Sequence, residues 1–279
     1  MGVNLTDLRE VLQSVLSQSE LNFLPRRFKR IGHVVILELP AALQGRAQEI
    51  ALKLMEFTGA KTVALRTGRI TGRFREPQLK VIAGDPNTET IHRENGCQFK
   101  LDVAKVMFST GNAYERRRIA ELVSPGEVVV DLFAGVGQFS IPIAAHARPS
   151  RVYSIEMNQA AFSYLLENIR INKVGHIVKP LLGDCSEVAP RGVADRVIMG
   201  IIHVTPRYLT LAMEVLKPEG GIIHYHETVP SRLRFQRPAE RILQAAGKRK
   251  VEIINQRVVK RYSPGVDHVV IDARIGPKE

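Results

Sequence analysis

Apolar residues along the chain fall into runs and periods that predict its elements. Leu5 to Leu16 has helical spacing, Val34 to Leu39 is a strand-like run, and Pro40 to about Phe57 returns to helical spacing. From Thr62 to Lys100 short apolar runs are broken by Gly68, Gly72, Pro77, Pro86 and Gly96, the pattern of strands and turns. A small N-terminal α+β domain over residues 1–95 is expected. Beyond Asn112 the pattern becomes strand, glycine turn, helix. Val128 to Phe133 is a continuous apolar run, as for a strand buried on both faces of a parallel sheet, and Phe139 to Ala147 follows as a helix. Val152 to Glu156, Ile177 to Leu182 and Arg196 to Ile202 predict further strands, with a helix from Gln159 to Asn172. Leu209 to Leu216, Gly221 to Tyr225, Ala239 to Ala246, Val251 to Val259 and Val266 to Ala273 supply the remaining helices and strands. The alternation predicts an α/β fold, a doubly wound Rossmann-like domain over residues 96–279.

Composition narrows the class. With 279 residues, 44% hydrophobic and 24% charged, the chain is neither a disordered tail nor a membrane bundle. Its 40 Lys+Arg against 28 Asp+Glu leave a formal charge of +12, a field that attracts polyanions such as nucleic acid or an anionic membrane surface. The two cysteines, Cys97 and Cys185, are too few and too far apart for a disulfide framework or a cysteine-built zinc site, which fits a reducing cytosol. Met1 to Ser19 carries Asp7, Arg9 and Glu10 and lacks the apolar run of a signal peptide or anchor, so a cytoplasmic protein without membrane attachment is expected.

Candidate chemistry begins at Asp131, Leu132, Phe133, Ala134, Gly135, Val136 and Gly137, a strand that breaks into a glycine turn before a helix. Glycine permits positive φ and close approach of a ligand to the backbone, and the helix start offers unpaired amides. The third glycine of the dinucleotide fingerprint is missing, which favours a cofactor without a pyrophosphate. Glu156 ends the next strand, where a carboxylate would accept hydrogen bonds from ribose hydroxyls, and Asp184 follows the third. Taken singly, the turn is also readable as a tight connection and the acids as helix caps or solvated charges. His224 and His226 share one strand face without a suitably spaced third ligand, so no metal site is expected.

This set resembles motifs I to III of the class I S-adenosylmethionine-dependent transferases over roughly residues 101–279. The resemblance implies S-adenosylmethionine as co-substrate, with Asp131, Gly135 and Gly137 near its methionine end, Glu156 on the ribose, Asp184 with Cys185 near the adenine, and Phe133 also among the cofactor-binding residues. Upstream, Met107 to Arg116 is similar to a signature shared by the tRNA (guanine-N1)-methyltransferases and the wybutosine-synthesizing tRNA aminocarboxypropyltransferases. The methyltransferases usually carry Asn-Pro at the end of the fourth strand. This chain has Gly200-Ile201 there, and Gly221 to Pro230 and Lys260 to His268 are also similar to the archaeal aminocarboxypropyltransferases.

That family implies transfer of the 3-amino-3-carboxypropyl group to a ring carbon of a tricyclic wyosine precursor beside the anticodon of tRNA-Phe, releasing 5′-methylthioadenosine. It also places Ser109 and Arg116 in the cofactor site, where a guanidinium could clamp the methionine carboxylate; a solvated helix charge is the plainer reading of Arg116. A base for the proton lost from the ring carbon stays unassigned among His203, His224 and His226. Lys61, Arg66, Arg69, Arg73 and Arg75 put five cations in fifteen residues without an acid and are expected to hold RNA phosphates, as is a second set, Arg232, Arg234, Arg237, Arg241, Lys248, Arg249 and Lys250. The rival readings are the sister methyltransferase and a non-catalytic RNA-binding module.

Overall fold

A computed structural model describes residues 7–25 and 28–278. By packing, the chain divides into two units: residues up to Arg93 with Phe99–Thr110, and Glu94–Gln98 with Gly111 onward. A single cut at residue 95 does not describe this division. Phe99–Thr110 packs with the first unit, because Thr88 donates to Asp102 at 2.5 Å and Phe108 packs against both Phe99 and His92, at 5.4 and 4.9 Å.

The first unit contains α1 (Leu8–Leu12), α2 (Gln18–Phe23), β1 (Lys29–Ile31), β2 (Val34–Leu37), α3 (Ala47–Thr58), β3 (Thr62–Arg66) and β4 (Leu79–Gly84). Leu5, the predicted start of the first helix, lies outside the described residues. The observed helix starts at the cap Asp7, whose side chain accepts from Arg9 N, and it ends at Leu12. Ser17 and Glu20 cap α2 reciprocally. The predicted helix from Pro40 divides into a 3-10 turn, Ala41–Arg46, and α3 proper. The sheet order is β1-β2-β3-β4, with β2 and β3 parallel across the α3 crossover. Leu8, Leu12, Leu37, Leu43, Ile50 and Leu54 belong to its core.

A hairpin of β5 (Glu89–Glu94) and β6 (Cys97–Asp102) turns at Asn95-Gly96, both at positive φ, as a two-residue hairpin loop demands. The second unit then continues with α4 (Ala113–Leu122), β7 (Val128–Asp131), α5 (Ser140–His146), β8 (Arg151–Glu156), α6 (Gln159–Ile171), β9 (Val178–Leu182), α7 (Cys185–Val188), β10 (Arg196–Met199), α8 (Leu209–Val215), β11 (Gly221–Pro230), α9 (Gln236–Ala246), β12 (Val251–Ser263) and β13 (Val266–Ile275). The seven strands lie in the order β12-β13-β11-β10-β7-β8-β9. Strands β11, β10, β7, β8 and β9 are mutually parallel, whereas β13 pairs antiparallel with both β11 and β12. The sheet is therefore mixed, not wholly parallel. Its core includes Val130, Leu132, Val197, Met199, Ile223, Tyr225 and Ile271, the inward sets that strand periodicity places on one face.

Strands β11 and β12 outrun the predicted ends Tyr225 and Val259 and carry His226–Pro230 and Lys260–Ser263 beyond them. Their partner β13 stays in register with β11 as far as Val266↔Pro230. Among the described residues no helix is long and apolar enough to cross a membrane.

Candidate functional site

The carboxyl ends of β7, β8 and β10 share one edge, since Asp131 is in register with both Ser154 and Ile198. Such an edge, where the strand order reverses, is where open α/β sheets bind ligands. After β7 the chain turns through Gly135 at φ +57° and Gly137 at φ +93°. A Cβ on Gly137 would stand 2.6 Å from Ile141 and 3.0 Å from Leu165, so this glycine is required by packing as well as by conformation. A Cβ on Gly135 would meet only the Gln138 amide, at 3.6 Å, which leaves the face of the turn open.

Three amides of the turn are already engaged within the chain. Gly137 N and Gln138 N both donate to Ala134 O, at 2.8 and 3.2 Å, and Gly135 N donates to Glu156 Oε2 at 2.8 Å. Helix α6 adds Asn168, whose buried amide donates to Val136 O at 3.0 Å. The loop is thus held before any ligand arrives.

Glu156, at the end of β8, accepts from Gly135 N through one oxygen and from Asn158 N through the other, at 2.7 Å. Burial pushes its carboxyl up, against the pull of those amides. A carboxylate has about four lone-pair sites, so accepting from the Gly135, Asn158 and Met157 amides still leaves capacity for a ribose hydroxyl. Asp184 caps α7, accepting from Ser186 N at 2.9 Å and Ser186 Oγ at 2.7 Å, which is the helix-cap reading.

Asp131 is wholly buried, accepting from Ser140 Oγ at 2.8 Å and Phe133 N at 3.3 Å, and it ties the end of β7 to the start of α5. Burial first, and the Glu156 charge among the remaining causes, push its carboxyl up to about 6. Cys185 is likewise a core residue, with its thiol pushed up to about 12 by burial and by Asp184. Half-buried Phe133 meets Tyr208 edge-on at 5.0 Å.

The clamp expected of Arg116 needs revision. Its side chain is buried, with Nε and Nη2 paired to the two oxygens of Glu94 at 2.6 and 2.7 Å and Nη1 donating to Gln138 Oε1 at 3.1 Å. A cofactor carboxylate would reach these donors in exchange for Glu94 or Gln138. Through Gln138 the guanidinium already braces the turn beside Gly135. Ser109 is half-buried and lies just before the 3-10 turn Thr110–Asn112. Glu94 and Gln138 gave no sequence signal, because neither belongs to an apolar period or a known spacing.

His224 and His226 are both buried, and neither faces a metal cluster. His224 Nδ1 meets Asp272 at 2.6 Å and its Nε2 meets Arg196 at 2.8 Å, inside a network with Arg118 and Glu127. His226 Nδ1 meets His268 Nε2 at 3.0 Å. Among the described residues no group of three or more potential ligands is placed to hold a metal ion.

The basic sets differ from expectation in part. Lys61, Arg69 and Arg73 are exposed, whereas Arg66 pairs with Glu38 at 2.6 Å and half-buried Arg75 lies 3.5 Å from Met107 Sδ. The second set is mostly structural: Arg234 pairs with Asp267, Arg237 and Arg241 with buried Glu227, and Arg249 donates to Met213, Lys217 and Gly276 carbonyls. The charges of these four arginines are spent on buried carboxylates and on backbone carbonyls.

A seven-stranded sheet with an antiparallel penultimate strand, a glycine turn after its first strand and acids at the next strand ends define a class I S-adenosylmethionine-dependent transferase. The chain belongs to the TRM5/TYW2 family: the TRM5/TYW2 methyltransferase domain matches residues 90–254 and the TYW2 N-terminal domain residues 8–88. It is 44% identical over 250 residues to the tRNA(Phe) (4-demethylwyosine(37)-C(7)) aminocarboxypropyltransferase of Methanocaldococcus jannaschii, covering 89% of this chain and 97% of that protein. It is 40% identical to the tRNA (guanine(37)-N(1))-methyltransferase Trm5b of Pyrococcus abyssi, covering 96% of this chain and 79% of that one. The crystal structure of M. jannaschii TYW2 in complex with AdoMet superposes with a TM-score of 0.72 at 40% identity, over 90% of this chain and all of that one. The resemblance read from Met107 to Arg116 and from the closing strands holds.

Proposed function

We propose that this chain transfers the 3-amino-3-carboxypropyl group of S-adenosylmethionine to C7 of 4-demethylwyosine at position 37 of tRNA(Phe), releasing 5′-methylthioadenosine. The carrying observation is near full-length similarity to an enzyme of that activity, joined to Gly200-Ile201 at the end of β10. A Cβ on Gly200 would stand 2.7 Å from the Phe139 ring, so the asparagine usual in the sister methyltransferases does not fit beside it. The residues present suit the co-substrate: the turn is open at Gly135 and Glu156 keeps acceptor capacity. Bound there, the sulfonium supplies an electrophilic carbon next to a neutral leaving group.

The chain's part is to hold and orient. Glu156 takes the ribose, Asp184 stands near the adenine, and Gly135 and Gly137 admit the methionine end, while Asp131, Gln138 and Arg116 keep the turn in shape. Positioning of this kind supplies most of the acceleration when the nucleophile is a neutral ring carbon. Exposed Lys61, Arg69 and Arg73, with Arg66 and Arg75, contact tRNA phosphates from the N-terminal domain. Two free buried cysteines and the absence, among the described residues, of a membrane-crossing helix support a cytoplasmic location. Incubation with S-adenosylmethionine and precursor-bearing tRNA, followed by chromatography, tests the reading. Methylthioadenosine is expected; S-adenosylhomocysteine would identify a methyltransferase, and no cofactor fragment a binding module.

A further inference from the structure

Three histidines stand on β11 or after the end of β10, and their surroundings separate them. His224 is fully buried and committed at both nitrogens to Asp272 and Arg196. His226 is fully buried between His268 and the Phe139 ring, 5.7 Å away, and burial first, with His268, His224 and Arg118 nearby, holds it well below the usual imidazole range. Neither can meet an RNA base. His203 is different: it is exposed, it follows β10 on the edge that carries the glycine turn, and its backbone sits at φ +73°. Its Nε2 lies 3.0 Å from the Tyr262 hydroxyl and its Nδ1 3.0 Å from the Thr228 hydroxyl.

We propose that His203 accepts the proton that the target ring carbon must lose, with Tyr262 and Thr228 as its positioning residues. This rests on the transfer reaction proposed above. Hydroxyls both donate and accept. In the neutral imidazole one nitrogen donates and the other accepts; after proton uptake both donate, and each hydroxyl turns to receive, so neither hydrogen bond is lost. The Asp272–His224–Arg196 arrangement has no such freedom, because a carboxylate and a guanidinium fix one tautomer.

The atoms balance. A carbon–carbon bond forms to the ring carbon as the carbon–sulfur bond breaks, its electron pair staying on sulfur to give a neutral thioether. The ring carbon's C–H pair then restores the aromatic ring, and its proton reaches His203 through the hydroxyl that donates to the accepting ring nitrogen: that hydroxyl takes the carbon's proton as it gives its own to the imidazole. The titratable and charged groups around this end of the sheet include Tyr262, Lys260 and Arg261 of β12, His268 and Asp267 of β13, Glu227 beside Thr228 on β11, and Arg237 of α9, which donates to Thr228 O at 2.9 Å. Burial first, then Lys260 and His203, push His268 down to about 3, so it stays neutral and does not compete for the proton.

The test uses His203→Gly in the full chain, because glycine suits a left-handed backbone and protects folding. Wild type is assayed first: a methylated nucleoside would refute the transfer reaction itself, and this proposal with it. With that product established, His203→Gly is expected to bind S-adenosylmethionine and tRNA as wild type does. It is expected to lose about 10²–10⁴-fold in single-turnover rate, to lose the acid-side limb of the rate–pH profile, and to recover partly with added imidazole. Tyr262→Phe should show a smaller loss. A wild-type rate, or a loss with an unchanged pH profile and no imidazole rescue, would overturn the assignment.

Discussion

Replacing Gly137 with alanine separates packing from backbone conformation at the turn that receives the co-substrate. The added Cβ would stand 2.6 Å from Ile141 Cγ1 and 3.0 Å from Leu165 Cδ1, on a backbone at φ +93°. Left-handed backbone disfavours an L side chain by roughly 1–2 kcal/mol, and overpacking a core adds roughly 1–3, for about 2–5 kcal/mol in all. In a chain of this size each kcal/mol moves the melting midpoint by roughly 2–4 °C. Thermal unfolding followed by circular dichroism, without ligand, should therefore show a fall of at least about 4 °C. Gly135→Ala is the control: at φ +57° its Cβ meets nothing nearer than the Gln138 amide at 3.6 Å, so only the conformational part applies. Its melting point should fall less, while calorimetry with S-adenosylmethionine should show weakened binding, because the methyl group occupies the open face. Equal falls in the two variants, or an unchanged melting point for Gly137→Ala, would refute this account of the turn.

Other outcomes follow from the same geometry. Glu156→Ala should weaken co-substrate binding and loosen the turn, because it removes the acceptor of both Gly135 N and Asn158 N; unchanged affinity by calorimetry would contradict the site map. Arg69→Glu should lower tRNA affinity and its salt slope more than Arg66→Ala does, because Arg66 is already paired with Glu38; equal slopes across salt titrations would sink that ordering. Asp131 has its folded pKa raised from 3.8 to about 6, so its protonated form favours the fold. That stability is present below about pH 3.8 and is lost as pH rises to about 6, on the order of 3 kcal/mol. Denaturant midpoints for wild type relative to Asp131→Asn should fall across that window, and a flat difference would rule the shift out. Asp272→Ala strands buried His224 and removes one of the two carboxylates paired with half-buried Arg118, and should destabilise by roughly 3–5 kcal/mol, read from urea unfolding.

The parallel strands were legible because residues buried on both faces read as unbroken apolar runs, as Val128 to Asp131 and Arg196 to Met199 show. Helix α4 was not predicted as an element, since its buried face carries Glu115 and Arg116 beside Ile119 and Ala120, and a charged buried stripe leaves no hydrophobic period. The far end of β11 was lost for the same reason: Glu227 is buried yet polar, satisfied by Arg237, Arg241 and the Tyr225 hydroxyl. For the site, the glycine turn and Glu156 were readable from spacing. The structure turns Asp131 and Cys185 inward and spends Arg116 on Glu94, a partner remote in sequence that no local pattern marks. In the second basic set, the pairing of Arg234, Arg237 and Arg241 with Asp267 and Glu227 was likewise invisible, since it depends on tertiary contacts.

The central claim concerns which carbon of the sulfonium reaches the RNA, and doubly labelled S-adenosylmethionine addresses it directly, with one isotope in the methyl group and another in the carboxyl. After incubation with tRNA(Phe) bearing 4-demethylwyosine, the carboxyl label should precipitate with the tRNA while the methyl label stays with the released nucleoside. Methyl label in the tRNA, with the carboxyl label left in solution, would contradict the account.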